Sequence, residues 1–558
     1  PGAADDDGPP DSPTTRALKV ARHESFSSDD NPTPTNSLVN AMLTDMYQLS
    51  MTYAYWKAGK HNDDAVFDLF FRKNPFEGEY VIFAGLDEVL RHANAFRFTD
   101  EDVAYIRTIM PHCDAPFFDY LKTLDCSRTR IYGVQAGTVV FPKEPLLRVE
   151  GPLAVGQLLE TTLLNLINFP SLVATNAARM RQAVGPHRSL LEFGLRRAQG
   201  PDGAMTASKY AYVGGCDGTS NVLAGKLMGI DVKGTHAHAY VMVYTSLADI
   251  TDPTLDGHDL RQLALDCRER LGFRETNEGE LAAFIAYAQS FPDTFLALVD
   301  TYDTLQSGLR NYMAVALALH GLGHRALGVR LDSGDLSYLS KRCREELRAA
   351  DARLGLEGVL GGSMIVASND LNEDVLHALN KEGHEIDAFG IGTHLVTCQK
   401  QPALGCVYKL VEINSQMRIK LSNEIRKLVI PARKQVYRIF GREGHAIIDV
   451  IQASSEPAPR AGERLLCRHP FEPNKRAHVT PSRVQPLLRL VWDAAHGIVG
   501  VIPSLDDVRG HCQRELAEMR DDHKRALNAT PYKVSVSAKL FDDMHALWGR
   551  EAPIADLS

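Results

Sequence analysis

His236 and His238 stand two residues apart behind Gly234 and Thr235, at the end of a stretch, 192–238, dense in groups that can grip anionic oxygens. Arg196 and Arg197 are adjacent in it. Gly200, Gly203, Gly214 and Gly215 let backbone approach a ligand, and Thr219, Ser220 and Asn221 add hydroxyl and amide groups. On an extended chain the two histidines share a face, as metal-binding pairs do at the mouth of a hydrolase barrel. Of the further histidines such a site needs at later strand ends, only His394 is suitably placed. The pair is equally readable as one nucleophile and one packed, hydrogen-bonded neighbour.

Two later motifs offer complementary chemistry. Asp332-Ser333-Gly334-Asp335 follows Arg330 and supplies carboxylates for magnesium, which takes one or two protein carboxylates and fills its shell with water and phosphate oxygens. Asp335 also suits the N-cap of a following helix, so Asp332 is the stronger functional candidate, with Asp300 and Asp303 as ligands or supports. Gly390-Ile391-Gly392-Thr393 reads either as a phosphate cradle or as a barrel turn that needs small residues.

Positioning these groups requires a strand before each loop and a helix after it. The pattern predicts strands at 189–193, 241–244, 295–299, 326–331, 364–367 and 386–389, alternating with helices such as 204–212, 306–320, 336–349 and 371–379. Polar residues fall at strand C-terminal ends each time, where β/α barrels place their chemistry. The expected fold is α/β: an irregular or incomplete β/α barrel over 156–400. An α+β domain is expected over 41–155, with a helix at 41–56 capped by Thr44, a strand at 65–71, and helices at 80–91 and 100–110. Residues 401–558, with strands at 406–413, 427–429 and 434–440 and a helix at 505–525, are expected to complete that domain.

Residues 1–40 hold six prolines and seven acids against three basic residues, which predicts a disordered tail. A chain of 558 residues, 44% hydrophobic and 23% charged, is an ordinary globular composition. A net charge of −9 argues against broad nucleic-acid binding, and no apolar run is long enough for a membrane span. Nine cysteines without a CxxC spacing imply neither a disulfide framework nor a zinc site, and a reducing cytoplasm is the expected compartment.

The motifs Thr44-Asp45-Met46-Tyr47-Gln48, the 192–199 block, Gly234-Thr235-His236-Ala237-His238, Val329 to Asp335, Phe389 to Thr393 and Gly405 to Leu410 stand in one fixed order. Together they resemble the nicotinate phosphoribosyltransferases, from about residue 42 to the C-terminus. The resemblance implies reaction of nicotinate with 5-phosphoribosyl 1-diphosphate to give nicotinate mononucleotide and diphosphate, opening NAD salvage, with ATP hydrolysed through a phosphohistidine. It implies a homodimer in which Tyr47 reaches into the neighbouring subunit's site to stack on nicotinate, with Phe193 on the other face. Thr235 and Arg330 match nicotinate-contacting positions, Arg196 a substrate-gripping arginine, and Thr393, with Gly390 and Gly392, the sugar-phosphate site. His238 matches the phosphorylated histidine. His236 departs from the family's usual apolar residue, so its role stays open. Ser220 aligns with an aspartate of the sister nicotinamide enzymes and favours the acid. Mg²⁺ or Mn²⁺ would sit at Asp332 with Asp300. A metal-dependent hydrolase on a β/α barrel, or a catalytically silent relative, remains the alternative.

Overall fold

The computed structural model describes residues 32–552 apart from Asn423, Ile425 and Arg426. Most of the expected acidic tail, residues 1–31, lies outside the described residues. Order begins before the expected boundary at 40. The Thr35 N–H and hydroxyl donate to the Glu88 carboxylate at 3.0 and 2.8 Å, and Val39 is buried. An acceptor on a packed helix offsets the ordering cost that composition alone leaves uncompensated.

Three sheets organise the molecule. A seven-stranded antiparallel sheet is centred on Asp64–Phe71, whose apolar run is buried on both faces, between Cys406–Ile413 and Leu147–Pro152. It draws Arg489–Asp493 from the C-terminal region beside Arg130–Gly133. A second mixed sheet is built from 434–537 alone. A buried ion pair joins the two, with Lys434 Nζ 2.6 Å from Asp68; Arg438 of the second sheet binds Asp449 beside it, Glu515 of helix Leu505–Glu518 and the Val139 carbonyl of the short ribbon Val139–Val140. Lys434 Nζ also donates to the Ile430 and Ala432 carbonyls, both at 2.7 Å, and Asp449 accepts from Tyr532 as well, so both cations and the Asp449 carboxylate replace in the interior much of what they lose from water.

The third sheet is the parallel one, in the order Leu296–Leu298, Gly328–Leu331, Met364–Ala367, Ala388–Ile391, Ser189–Glu192, Gly218–Thr219. It stays open between the first and last of these, an incomplete α/β barrel. The 25-residue helix Glu160–Val184 packs on it and on helix Gly200–Gly214. Pro170 inside that helix leaves the Leu166 carbonyl without its usual donor, and Gly85 packs against this oxygen so closely that a Cβ would lie 2.0 Å away.

Several local expectations need correction. Residues 241–244 form no strand; helix His238–Met242 runs there, with only Val241 of its apolar residues buried. The helix expected at 80–91 divides into strand Val81–Ile82 and helix Leu86–Ala95, because Gly85 turns the chain at φ +96°. The first helix starts at Met46 behind Asp45, and the Thr44 hydroxyl caps nothing. No strand forms at 427–429, and the 505–525 helix breaks into Leu505–Glu518 and Asp521–Lys524. Among the described residues all nine cysteines are free thiols, and no helix is long and apolar enough to cross a membrane.

Candidate active site

Parallel pairing puts the C-terminal ends of these strands, and the polar loops that follow them, at one mouth. At its centre the Arg330 fork donates from Nη1 to the Thr235 hydroxyl at 2.9 Å and from Nη2 to the His236 carbonyl at 2.7 Å. Its Nε is buried without a hydrogen-bond partner. Burial lowers the guanidinium pKa; Asp332 and Asp300 oppose that shift, and Arg196, carried on the turn Leu195–Arg197, adds a smaller like-charge repulsion. A buried guanidinium with an unsatisfied Nε and a second arginine nearby gains by taking an anion.

His238 opens the helix His238–Met242. Its Nδ1 meets the Thr301 hydroxyl at 3.0 Å, and its Nε2 faces Asp300 and Asp332 at 3.8 and 3.7 Å. The ring is 38% exposed, so a ligand can reach it. Asp300 is buried; Oδ2 accepts from the Asp332 N–H at 3.1 Å and the Ser333 hydroxyl at 2.5 Å, leaving Oδ1 without a hydrogen bond. Asp332 accepts from Ser368 at 2.6 Å on Oδ1 and points Oδ2 toward His238. Each carboxylate thus keeps one oxygen free on the histidine side, a donor set that fits a magnesium ion arriving with substrate phosphates. Asp303 and Asp335 instead cap: Asp303 accepts from Leu305 and Gln306 N–H groups, Asp335 from Tyr338 N–H.

A buried carboxylate underlies the opposite side. Glu192 accepts from the Gly194 N–H, from Ser208 at 2.8 Å and from Thr219 at 2.5 Å, while its carbonyl accepts the Ser220 N–H at 2.9 Å. One residue therefore sets both the Phe193–Gly194 turn and the Thr219–Ser220 turn. Phe193 lies on Gly390 so closely that a Cβ there would come within 2.3 Å of its ring. Thr393 is half-buried at the start of the short helix Thr393–Val396, directly after Gly392. The His394 carbonyl accepts from Asn176. Tyr47 stands apart on helix Met46–Lys57, 48% exposed, with Gln48, Glu160 and Thr161 around it.

Glu192, Thr301 and Glu280 escape a reading by motif. Thr301 had a signal, since it follows Asp300 at a strand end. Glu280 had none: it comes from the polar insertion, yet it is fully buried and accepts from Ser307 at 2.5 Å and Asn311 at 3.0 Å beneath the π-helical turn Thr304–Gly308. Burial, with smaller contributions from Asp303 and Asp300, raises its pKa to about 7. A carboxyl raised in the folded state contributes stability that is complete below its unfolded value of about 4.5 and is lost as pH climbs through 7, about 3 kcal/mol in all. Glu280→Gln, a mimic of the protonated acid, is accordingly expected to lose less apparent Tm than the wild type between pH 5 and pH 8, by a few degrees in thermal melts. Parallel melting curves at both pH values would contradict it.

Three family profiles match the chain: the nicotinate phosphoribosyltransferase (NAPRTase) N-terminal domain over 42–168, the nicotinate phosphoribosyltransferase (NAPRTase) family over 188–438, and the nicotinate phosphoribosyltransferase C-terminal domain over 433–544. Nicotinate phosphoribosyltransferase 2 of Arabidopsis thaliana is 54% identical over 540 residues, 94% of this chain and 97% of its own length. The chain belongs to the nicotinate phosphoribosyltransferase family. Nicotinate phosphoribosyltransferase of Homo sapiens is 44% identical over 529 residues, 92% of this chain and 97% of its own. The crystal structure of human nicotinic acid phosphoribosyltransferase superimposes with a TM-score of 0.81 at 41% identity, covering 91% of this chain and all of that one.

In this phosphoribosyltransferase fold the zinc-hydrolase reading of the histidine pair loses its geometry. His236 Nε2 is occupied by the Leu298 N–H at 3.3 Å, and His238 faces two aspartates across nearly 4 Å. Among the described residues no group of three or more His, Cys, Asp or Glu side chains is arranged to hold a metal.

Proposed function

We propose that the chain transfers the phosphoribosyl group of 5-phosphoribosyl 1-diphosphate to the ring nitrogen of nicotinate, giving nicotinate mononucleotide and diphosphate, with ATP hydrolysis coupled through His238. The observation that carries the reading is the Arg330 fork, held by Thr235 and the His236 carbonyl with its Nε buried and unsatisfied, beside Arg196. A pyridine carboxylate is a fitting counter-charge. Phe193, braced on Gly390, offers a ring face to the pyridine, and Tyr47 of the partner subunit in a homodimer would close the other face. Gly390, Gly392 and Thr393 would hold the sugar phosphate.

As the anomeric carbon–oxygen bond breaks, positive charge builds on the ribose and negative charge on diphosphate. Asp332, with Asp300 behind it, would hold magnesium or manganese, and the bound ion would supply electrostatic stabilisation of the leaving diphosphate. The strand-end loops hold the acceptor nitrogen in line with the anomeric carbon, an alignment that can supply on the order of 7–11 kcal/mol. Thr301 orients the His238 ring through Nδ1, and Asp300 and Asp332 balance the charge that a nucleophilic Nε2 develops. The reaction belongs in a reducing cytosol, where free thiols persist.

Purified protein given labelled nicotinate, the sugar diphosphate and Mg²⁺ is expected to form labelled mononucleotide, faster with ATP. A silent relative or a hydrolase would form none. Ser220→Asp places an anion beside the pyridine acid and is expected to weaken nicotinate use about tenfold, from about 1–1.5 kcal/mol of repulsion between partly solvated like charges. Unchanged nicotinate kinetics would remove Ser220 from the acid's surroundings.

A further inference from the structure

The parallel sheet is open between its edge strands Leu296–Leu298 and Gly218–Thr219. In a parallel ladder, alternate N–H groups of an edge strand point toward the missing neighbour, and a buried one must find an acceptor elsewhere. The Val299 N–H donates inward to the Arg330 carbonyl at 3.2 Å, so the Leu298 N–H faces the opening. Its acceptor is His236 Nε2, at 3.3 Å. At the other edge, Thr219 N–H donates to the Asp231 carbonyl and Lys233 N–H to the Thr219 carbonyl, both at 2.9 Å, and Val232 bridges Thr219 in parallel. Residues 231–236 therefore span the opening where a closing strand would run, fastened by main chain at one side and, at the other, by the His236 imidazole on the edge strand and the Arg330 fork of the strand beside it.

That imidazole is itself fixed. Tyr287, Tyr240 and Phe284 surround it with centroids 4.6, 5.4 and 6.4 Å away. Burial, with Arg330 and His238 nearby, lowers its pKa to about 4, so the ring is neutral at pH 7 and Nε2 is free to accept. Nδ1, buried without a hydrogen-bond partner, then carries the proton. The same residue's carbonyl and the preceding Thr235 hydroxyl are the two acceptors of the Arg330 fork.

We propose that His236 is a positioning residue: by accepting the edge strand's N–H it pins the segment that closes the barrel, and through its carbonyl and Thr235 it aims the Arg330 guanidinium at the pyridine carboxylate. The inference rests on Arg330 being the carboxylate contact. It assigns His236 neither to proton transfer nor to a metal.

His236→Leu fills the aromatic box without an acceptor, whereas His236→Gln returns an acceptor oxygen near the Nε2 position. The leucine variant is expected to raise KM for nicotinate about tenfold, the order of one lost buried hydrogen bond, with kcat and the KM for the sugar diphosphate within twofold of wild type. The glutamine variant is expected to recover most of that loss. Hydrogen exchange at the Leu298 amide, protected in the wild type, is expected to quicken in the leucine variant and stay slow in the glutamine variant. A leucine variant with wild-type KM, or a glutamine variant as impaired as leucine, overturns the proposal. So does an unprotected Leu298 amide in the wild-type protein, a measurement that needs no variant to fold. Arg330→Lys run in parallel separates two failures: if it leaves the nicotinate KM unaltered, the Arg330 assignment is wrong; if it raises KM while His236→Leu does not, only the His236 role is wrong.

Discussion

Arg330→Lys is expected to raise the KM for nicotinate by about 30- to 100-fold while the apparent Tm moves by no more than a few degrees. Arginine satisfies two neighbours, the Thr235 hydroxyl and the His236 carbonyl, with separate nitrogens and still presents donors to a ligand. A lysine ammonium is a single point charge; it cannot hold both neighbours and form a bidentate pair with a carboxylate. Charge-assisted hydrogen bonds contribute about 1.5–3 kcal/mol each, and a loss of 2–3 kcal/mol corresponds to the stated range at about 1.4 kcal/mol per tenfold. Steady-state kinetics with nicotinate varied at saturating sugar diphosphate would check it. A wild-type KM would move the carboxylate site away from this strand end.

His238→Ala is expected to abolish transfer of ³²P from ATP to the protein and to remove ATP stimulation entirely, while slow ATP-independent mononucleotide formation persists. The reasoning is local. The ring presents Nε2 within 4 Å of both Asp300 and Asp332, it is open to ligand, and its second nitrogen is held by Thr301, whereas the nearby Ser333 and Ser368 hydroxyls are spent on those carboxylates. Alanine removes the nucleophile and leaves the Arg330 fork intact, so acceptor binding survives while energy coupling does not. Labelling that persists in the variant would transfer the phosphoryl-accepting role to another residue.

How much of this was legible in the chain varies with the range of the interaction. Asp335 as a helix cap is a short-range property: a carboxylate three residues before the Tyr338 N–H needs no tertiary contact. The strand 241–244 misled because Val241, Val243 and Tyr244 favour strands, whereas tertiary context buries only Val241 among the apolar residues of its helix. The helix proposed at 80–91 failed at Gly85, whose close approach to Leu166 comes from a segment about eighty residues away. Glu280 lay in a polar, helical insertion where exposure is the default, and its burial depends on Ser307 and Asn311 arriving from the next unit.

The amino-acid sequence by itself determined the family, the α/β class, and the clustering of arginines, glycines, histidines and aspartates at strand ends, because periodicity and ordered motifs are properties of the chain read locally. Only the tertiary structure decided what those residues do to one another. It set Asp300 and Asp332 within 4 Å of one His238 nitrogen, made Asp303 a cap, bound two loops to the Glu192 carboxylate, and gave His236, whose role the sequence left open, the Leu298 N–H of an open sheet edge to accept. Each outcome depends on register between strands tens of residues apart, and a hydrogen bond that holds at 3 Å and fails at 4 cannot be read from spacing along a chain.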